Sequence, residues 1–84
     1  MRHARPAALD QLEDLIAALR AVDGLTEKSR GVFYRKGRAF LHFHEDGDSF
    51  FADVRGDEAF DRYEVKTPAA RTRFLAEALR RASL

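Results

Sequence analysis

The sequence predicts an α+β domain, a four-stranded antiparallel meander with one N-terminal and one C-terminal helix (α-β-β-β-β-α), both helices packed mainly on one sheet face. Three observations lead there. Apolar residues recur at spacings of three and four near both ends of the chain, but at a spacing of two in the middle. Two-residue turns containing glycine, Lys36-Gly37 and Asp46-Gly47, divide that middle stretch at hairpin intervals. A chain of 84 residues has surface for only one core, so residues 1–84 read as a single domain, with 1–6 a flexible N-terminal segment.

The first helix is expected over Ala7–Asp23, where Leu9, Leu12, Ile16, Leu19 and Val22 form one apolar stripe. Asp10, Glu13 and Asp14 suit the positive end of its dipole and Arg20 the negative end. Gly24 is a natural left-handed stop, and Thr26–Arg30 reads as a polar loop. Strands follow at Val32–Arg35, Arg38–Glu45, Ser49–Arg55 and Phe60–Lys66, the last after the looser connection Gly56–Ala59. Thr67 then caps the final helix with Pro68 at its first position, and Phe74, Leu75, Ala78, Leu79 and Ala82 make its stripe.

Composition narrows the function classes. No cysteine is present, which excludes disulfides and thiolate metal sites. The longest apolar runs are a few residues, so no membrane span is expected. Met1–Pro6 lacks the apolar stretch of a secretory signal, which makes a cytoplasmic location the default expectation. Fifteen basic residues against fourteen acidic ones leave a formal charge of +1, far from the basic footprint of a phosphate-backbone binder.

Alternation assigns the two faces of the sheet. With Asp46-Gly47 and Lys36-Gly37 as central turn residues, Phe43 should face Phe50, Leu41 face Ala52, and Val32 face Leu41. One face then carries Val32, Tyr34, Ala39, Leu41, Phe43, Phe50, Ala52, Val54, Tyr63 and Val65, a floor for both helices. The other carries Phe33, Arg35, Arg38, Phe40, His42, His44, Ser49, Phe51, Asp53 and Arg55, with Phe60, Arg62 and Glu64 joining from the fourth strand. That is more aromatic side chain than a wet face normally holds.

The chemistry available lies on this second face. His42 and His44, at i and i+2 of a strand, project the same way, and Asp53 is within diagonal reach of His42. Two imidazoles and a carboxylate suit Zn, Fe or Ni. The bland alternative is a pair of half-exposed strand histidines stacked on Phe40 and Phe51. His3 sits on a free segment, a poor platform for a ligand. Asp53 and Arg62 are expected to form a cross-strand ion pair. The acidic turn Glu45–Asp48 lacks the alternating oxygen ligands of a calcium loop. No paired catalytic carboxylates, nucleophile elbow or phosphate-cradling glycine loop is evident, so no catalytic residue and no cofactor are assigned.

The run Tyr34-Arg35-Lys36-Gly37-Arg38-Ala39-Phe40-Leu41-His42-Phe43-His44, followed by Asp46-Gly47 and Ala52-Asp53-Val54, resembles the central strands of the small bacterial and fungal "luciferase domain" family. There a Gly-Arg-hydrophobic-His-x-His segment leads into a strand containing Asp. Asp23-Gly24-Leu25-Thr26-Glu27, between a helix and a hairpin, is similar to the start of MmcQ/YjbR-like proteins, whose shape suggests DNA binding. Neither resemblance implies a reaction.

Three functional readings follow. The first is a non-enzymatic binding module whose second face, through Phe33, Phe40, His42, His44, Phe51 and Asp53, meets a second copy in a homodimer, another protein or a small apolar ligand. The second is a metal-dependent or general-base enzyme using His42, His44 and Asp53. The third is nucleic-acid binding through Arg35, Arg38 and Arg55 of the sheet, or Arg71, Arg73, Arg80 and Arg81 of the last helix. A structural alternative has the last helix crossing over to cover the second face itself.

Overall fold

The computed structural model describes all 84 residues. Along the chain come β1 (Arg2–His3), α1 (Pro6–Gln11), α2 (Glu13–Arg20), β2 (Leu25–Ser29), β3 (Val32–Arg35), β4 (Arg38–Asp46), β5 (Ser49–Arg55), β6 (Phe60–Glu64) and α3 (Pro68–Ala82). The antiparallel sheet runs β2-β3-β4-β5-β6, with β1 paired to β4. The α+β class and the terminal helices are as the sequence predicts, but the sheet has six strands rather than four.

Both additional strands have identifiable causes. Thr26–Arg30, expected as a loop, belongs mostly to β2, which pairs Leu25 with Arg35 and Glu27 with Phe33. It is an edge strand of low hydrophobicity, closed onto β3 by the turn Arg30-Gly31. Gly31 takes φ +79° there, the same device as Gly37 at φ +77° in the next turn. The other addition, β1, falls within the segment expected to be flexible. Because β3 pairs only with Arg38–Leu41, the far half of the nine-residue β4 keeps a free edge. Arg2 pairs with Glu45 and His3 with His44 there, and the Ala4 amide donates to the Phe43 carbonyl at 3.0 Å. Pairing this edge satisfies backbone groups that would otherwise be open to another chain.

The predicted first helix is two helices that meet at Leu12, whose φ −102° and ψ 8° depart from α geometry. Leu9, Leu12, Ile16 and Leu19 still share one buried side, joined by Leu15. At the other end, the Thr67 hydroxyl accepts the Ala70 amide at 3.1 Å, the expected N-cap with Pro68 behind it. Phe74 and Ala78 of α3 are buried, whereas Leu79 is 40% exposed and lies outside the stripe assigned to it. Both helical layers pack on one side of the sheet, against Leu41, Phe43, Ala52, Val54 and Val65 in a single core. No element crosses to the other side.

The observed register departs from the predicted one at two places, and only the second changes a face. In the β4–β5 hairpin Asp46 pairs with Ser49 and Phe43 with Ala52, so Gly47-Asp48, not Asp46-Gly47, are the central turn residues. This is a slip of two residues, and a two-residue slip leaves every side chain on its face. The β3–β4 pairing differs in kind. Phe33 pairs with Leu41 and Tyr34 with Ala39, leaving Phe40 as the extra residue of a β-bulge. The bulge reverses the alternation of β3 relative to β4. Phe33 and Phe40, assigned to the second face, are in the helix-side core at 0% and 4% exposure. Arg35 likewise turns toward α3, donating to the carbonyls of Ala82 and Leu84.

Candidate metal centre

The strands bring His42, His44 and Asp53 together on the sheet face that no helix covers. His42 and His44 alternate with core residues Leu41 and Phe43 along β4. β5 places Asp53 directly opposite His42, with Phe51 opposite His44. The contact is thus closer than the diagonal one expected. The Nε2 atoms of His42 and His44 lie 3.5 and 3.2 Å from the same carboxylate oxygen, Oδ2 of Asp53. The nearest donor atoms of all three residues fall within 4.8 Å of one another.

Asp53 is the one buried charged residue of the molecule, so its compensation matters. Arg62, its register partner on β6, supplies a two-pronged grip: Nε donates to Oδ1 and Nη2 to Oδ2, each at 2.8 Å. The cross-strand ion pair is as the sequence predicts. Burial pushes the Asp53 carboxyl up, but the hydrogen bonds and charge of Arg62 outweigh it and hold the group below its ordinary value. Asp53 is therefore an anion at neutral pH. Burial, and next the neighbouring His44, lower the His42 pKa against the pull of Asp53. His42 is therefore a neutral imidazole at neutral pH, with a lone pair available. His44 Nδ1 is buried without a hydrogen-bond partner.

Aromatic rings frame the cluster. The His42 and His44 rings meet edge-on with centroids 4.8 Å apart. Phe60 stands edge-on to His42 at 4.9 Å and carries the Arg55 guanidinium 4.8 Å above its ring. His3 covers the remaining side: its ring stacks on His44 at 4.7 Å and lies 5.6 Å from His42. No local pattern places His3 here, since its pairing depends on the unequal lengths of β3 and β4. Of the predicted binding surface, His42, His44, Phe51 and Asp53 share this face, whereas Phe33 and Phe40 do not.

Two cavities lie elsewhere. One, of about 320 Å³, is lined by Phe40, Arg35, Arg55, Asp61 and Arg81. The other, of about 220 Å³, lies between α2 and α3. Neither includes His42, His44 or Asp53. The arginines offered as nucleic-acid contacts on α3 are largely engaged: Arg71 with Asp14, Arg80 with Glu77, and Arg81 with Glu77 and Asp61.

Comparison with protein-family models, with curated proteins and with solved structures finds no match.

Proposed function

We propose that this domain is a non-enzymatic binding module whose recognition centre is a divalent transition-metal site, zinc first among the candidates, held by His42, His44 and Asp53. The observation that carries the reading is a pair of distances. Ligands at about 2.0–2.1 Å from a tetrahedral zinc stand about 3.3 Å from one another. The separations of 3.5 and 3.2 Å from Asp53 Oδ2 to the two Nε2 atoms bracket that edge.

The donor chemistry supports the same reading. A neutral His42 need not lose a proton before ligating, and Asp53 is already ionised. Each carboxylate oxygen has two acceptor sites, so Oδ2 can keep its Arg62 hydrogen bond and still face an ion. Arg62 then acts as the outer partner that orients the carboxylate. At His44 an ion on Nε2 leaves the ring proton on the unpartnered Nδ1, which limits affinity without preventing ligation. A metal needs no cavity, whereas a general-base enzyme needs room for substrate beside its base. A homodimer built on Phe33 and Phe40 loses its driving force once both rings are in the core.

The test is thermal unfolding of protein prepared without a histidine tag, with zinc or magnesium added. At a concentration of zinc 100 times its dissociation constant, stabilisation should reach about 2.7 kcal/mol. For a domain of this size that is a rise of roughly 10–20 °C in Tm. Magnesium, which prefers oxygen ligands, should do nothing, and His44→Ala should abolish the zinc effect. A zinc response absent in the wild type, or undiminished in His44→Ala, would overturn the proposal.

A further inference from the structure

We infer that His3 is a third imidazole ligand of this centre, so that the metal fastens strand β1 to the sheet. The inference rests on the metal-site reading above and adds a residue on a separate element. Three features of the structure lead to it.

The first is register. His3 is the direct partner of His44 across the β1–β4 pair, and directly opposed residues present their side chains on one face. The second is ring geometry. With Zn–N bonds of about 2.05 Å and about 1.1 Å from a nitrogen to its ring centre, imidazoles on a tetrahedral ion have centroids about 5.1 Å apart. The three separations here are 4.7 Å for His3–His44, 4.8 Å for His42–His44 and 5.6 Å for His3–His42. His3 is not among the three residues whose donor atoms already converge, and its ring lies at only 26° to that of His44. Ligation therefore requires the exposed His3 ring to rotate out of the stack, turning a nitrogen inward.

The third feature is the attachment of β1. Only two residue pairs join it to β4, followed by the Ala4 amide on the Phe43 carbonyl and Arg5 on Glu45. A two-residue strand has little stability of its own. A bond from His3 to an ion already held by β4 and β5 closes this segment onto the sheet. His3, His42, His44 and Asp53 together complete four protein ligands. A closed four-ligand site is the structural kind, with no open position for a reacting water.

The experiment compares wild-type protein with His3→Ala, both without a histidine tag, by competing each against a chromophoric chelator for zinc and by following amide exchange at Ala4. His3 is exposed, so the variant keeps the core. Loss of a direct ligand should weaken zinc binding at least as much as the roughly 10–100-fold that loss of an outer-shell partner costs. Zinc should slow exchange of the Ala4 amide in the wild type but not in His3→Ala. Equal zinc affinity in the two proteins, with no zinc-dependent protection at Ala4, overturns the role of His3 and leaves the three-residue site standing. Failure of the wild type to take up zinc overturns both.

Discussion

The two faces of this sheet are built from the same strands, residue by residue in alternation, yet they do opposite things. On the helix side, Phe33, Leu41, Ala52, Val54 and Val65 are fully buried under α1, α2 and α3. On the other side no helix arrives, yet His42, His44 and Phe51 are only half exposed and Asp53 is buried. The first face is held by apolar area removed from water. The second is held by charge compensation around one carboxylate, and by rings stacked edge to edge. A face shielded by its own polar groups can hold an ion, whereas a face covered by helices holds only the fold.

That contrast makes the largest mutational effects fall on the helix side. Phe33→Ala and Phe74→Ala should each cost about 3–5 kcal/mol, while Phe51→Ala, half exposed on the open face, should cost clearly less. Urea unfolding of the three variants checks the bulge directly. Equal losses for Phe33→Ala and Phe51→Ala would return Phe33 to the outer face.

Next comes the carboxylate. Asp53→Asn removes the anion that Arg62 and the imidazoles surround, and should destabilise by about 1–3 kcal/mol, the cost of leaving charged hydrogen-bonding groups unsatisfied. The same variant should lose the zinc-dependent rise in Tm. Full zinc stabilisation in Asp53→Asn would mean that the ion sits elsewhere.

The turns give a smaller and sharper comparison. Gly31 and Gly37 share nearly the same φ, +79° and +77°, so alanine at either incurs a left-handed cost of about 1–2 kcal/mol. At Gly31 a Cβ would also stand 2.9 Å from Leu9 Cδ2, while at Gly37 it meets nothing within 4 Å. Gly31→Ala should therefore be the more destabilising of the two in urea titrations. The difference measures how tightly the helix layer presses on the β2–β3 turn. Equal costs would show that Leu9 yields freely.

The smallest effect lies at the periphery of the helix side. Hydrogen bonds from Arg80 and then Arg81 pull the Glu77 carboxyl from 4.5 down to about 2. A carboxyl depressed by folding stabilises the native state above its unfolded pKa, and that contribution is lost as pH falls through the folded value. Glu77→Gln should flatten the acid limb of the stability profile between about pH 5 and 2 only slightly, since Glu77 is only half-buried and Arg80 is largely in solvent, where ion pairs are worth little. A large change there would place Glu77 in a network far less solvated than it is.

Much of this was legible in the sequence, for physical reasons that differ by region. The helices announced themselves through leucines at helical spacing, and α3 through Thr67-Pro68. The pairing of Asp53 with Arg62 followed from strand spacing alone. The faces of β4 and β5 survived an error in the turn because a two-residue slip preserves alternation. Phe33 and Phe40 were misplaced because a bulge leaves no mark in composition, and one extra residue in β4 inverts every assignment across it. β2 was missed because its residues are polar, although Arg30-Gly31 has the same form as Lys36-Gly37. His3 depends on a free edge that exists only once β3 is known to be short, so no local pattern revealed it.

The proposed metal centre on the open face stands or falls with His42, His44 and Asp53 acting as one ligand set. Zinc-edge X-ray absorption of the zinc-loaded, untagged protein tests it most directly. The expected result is a four-coordinate shell at about 2.0–2.1 Å with the scattering signature of two or three imidazoles, and loss of that signature in His42→Ala/His44→Ala. A shell of water oxygens alone, or an imidazole signature unchanged in the double variant, would contradict it.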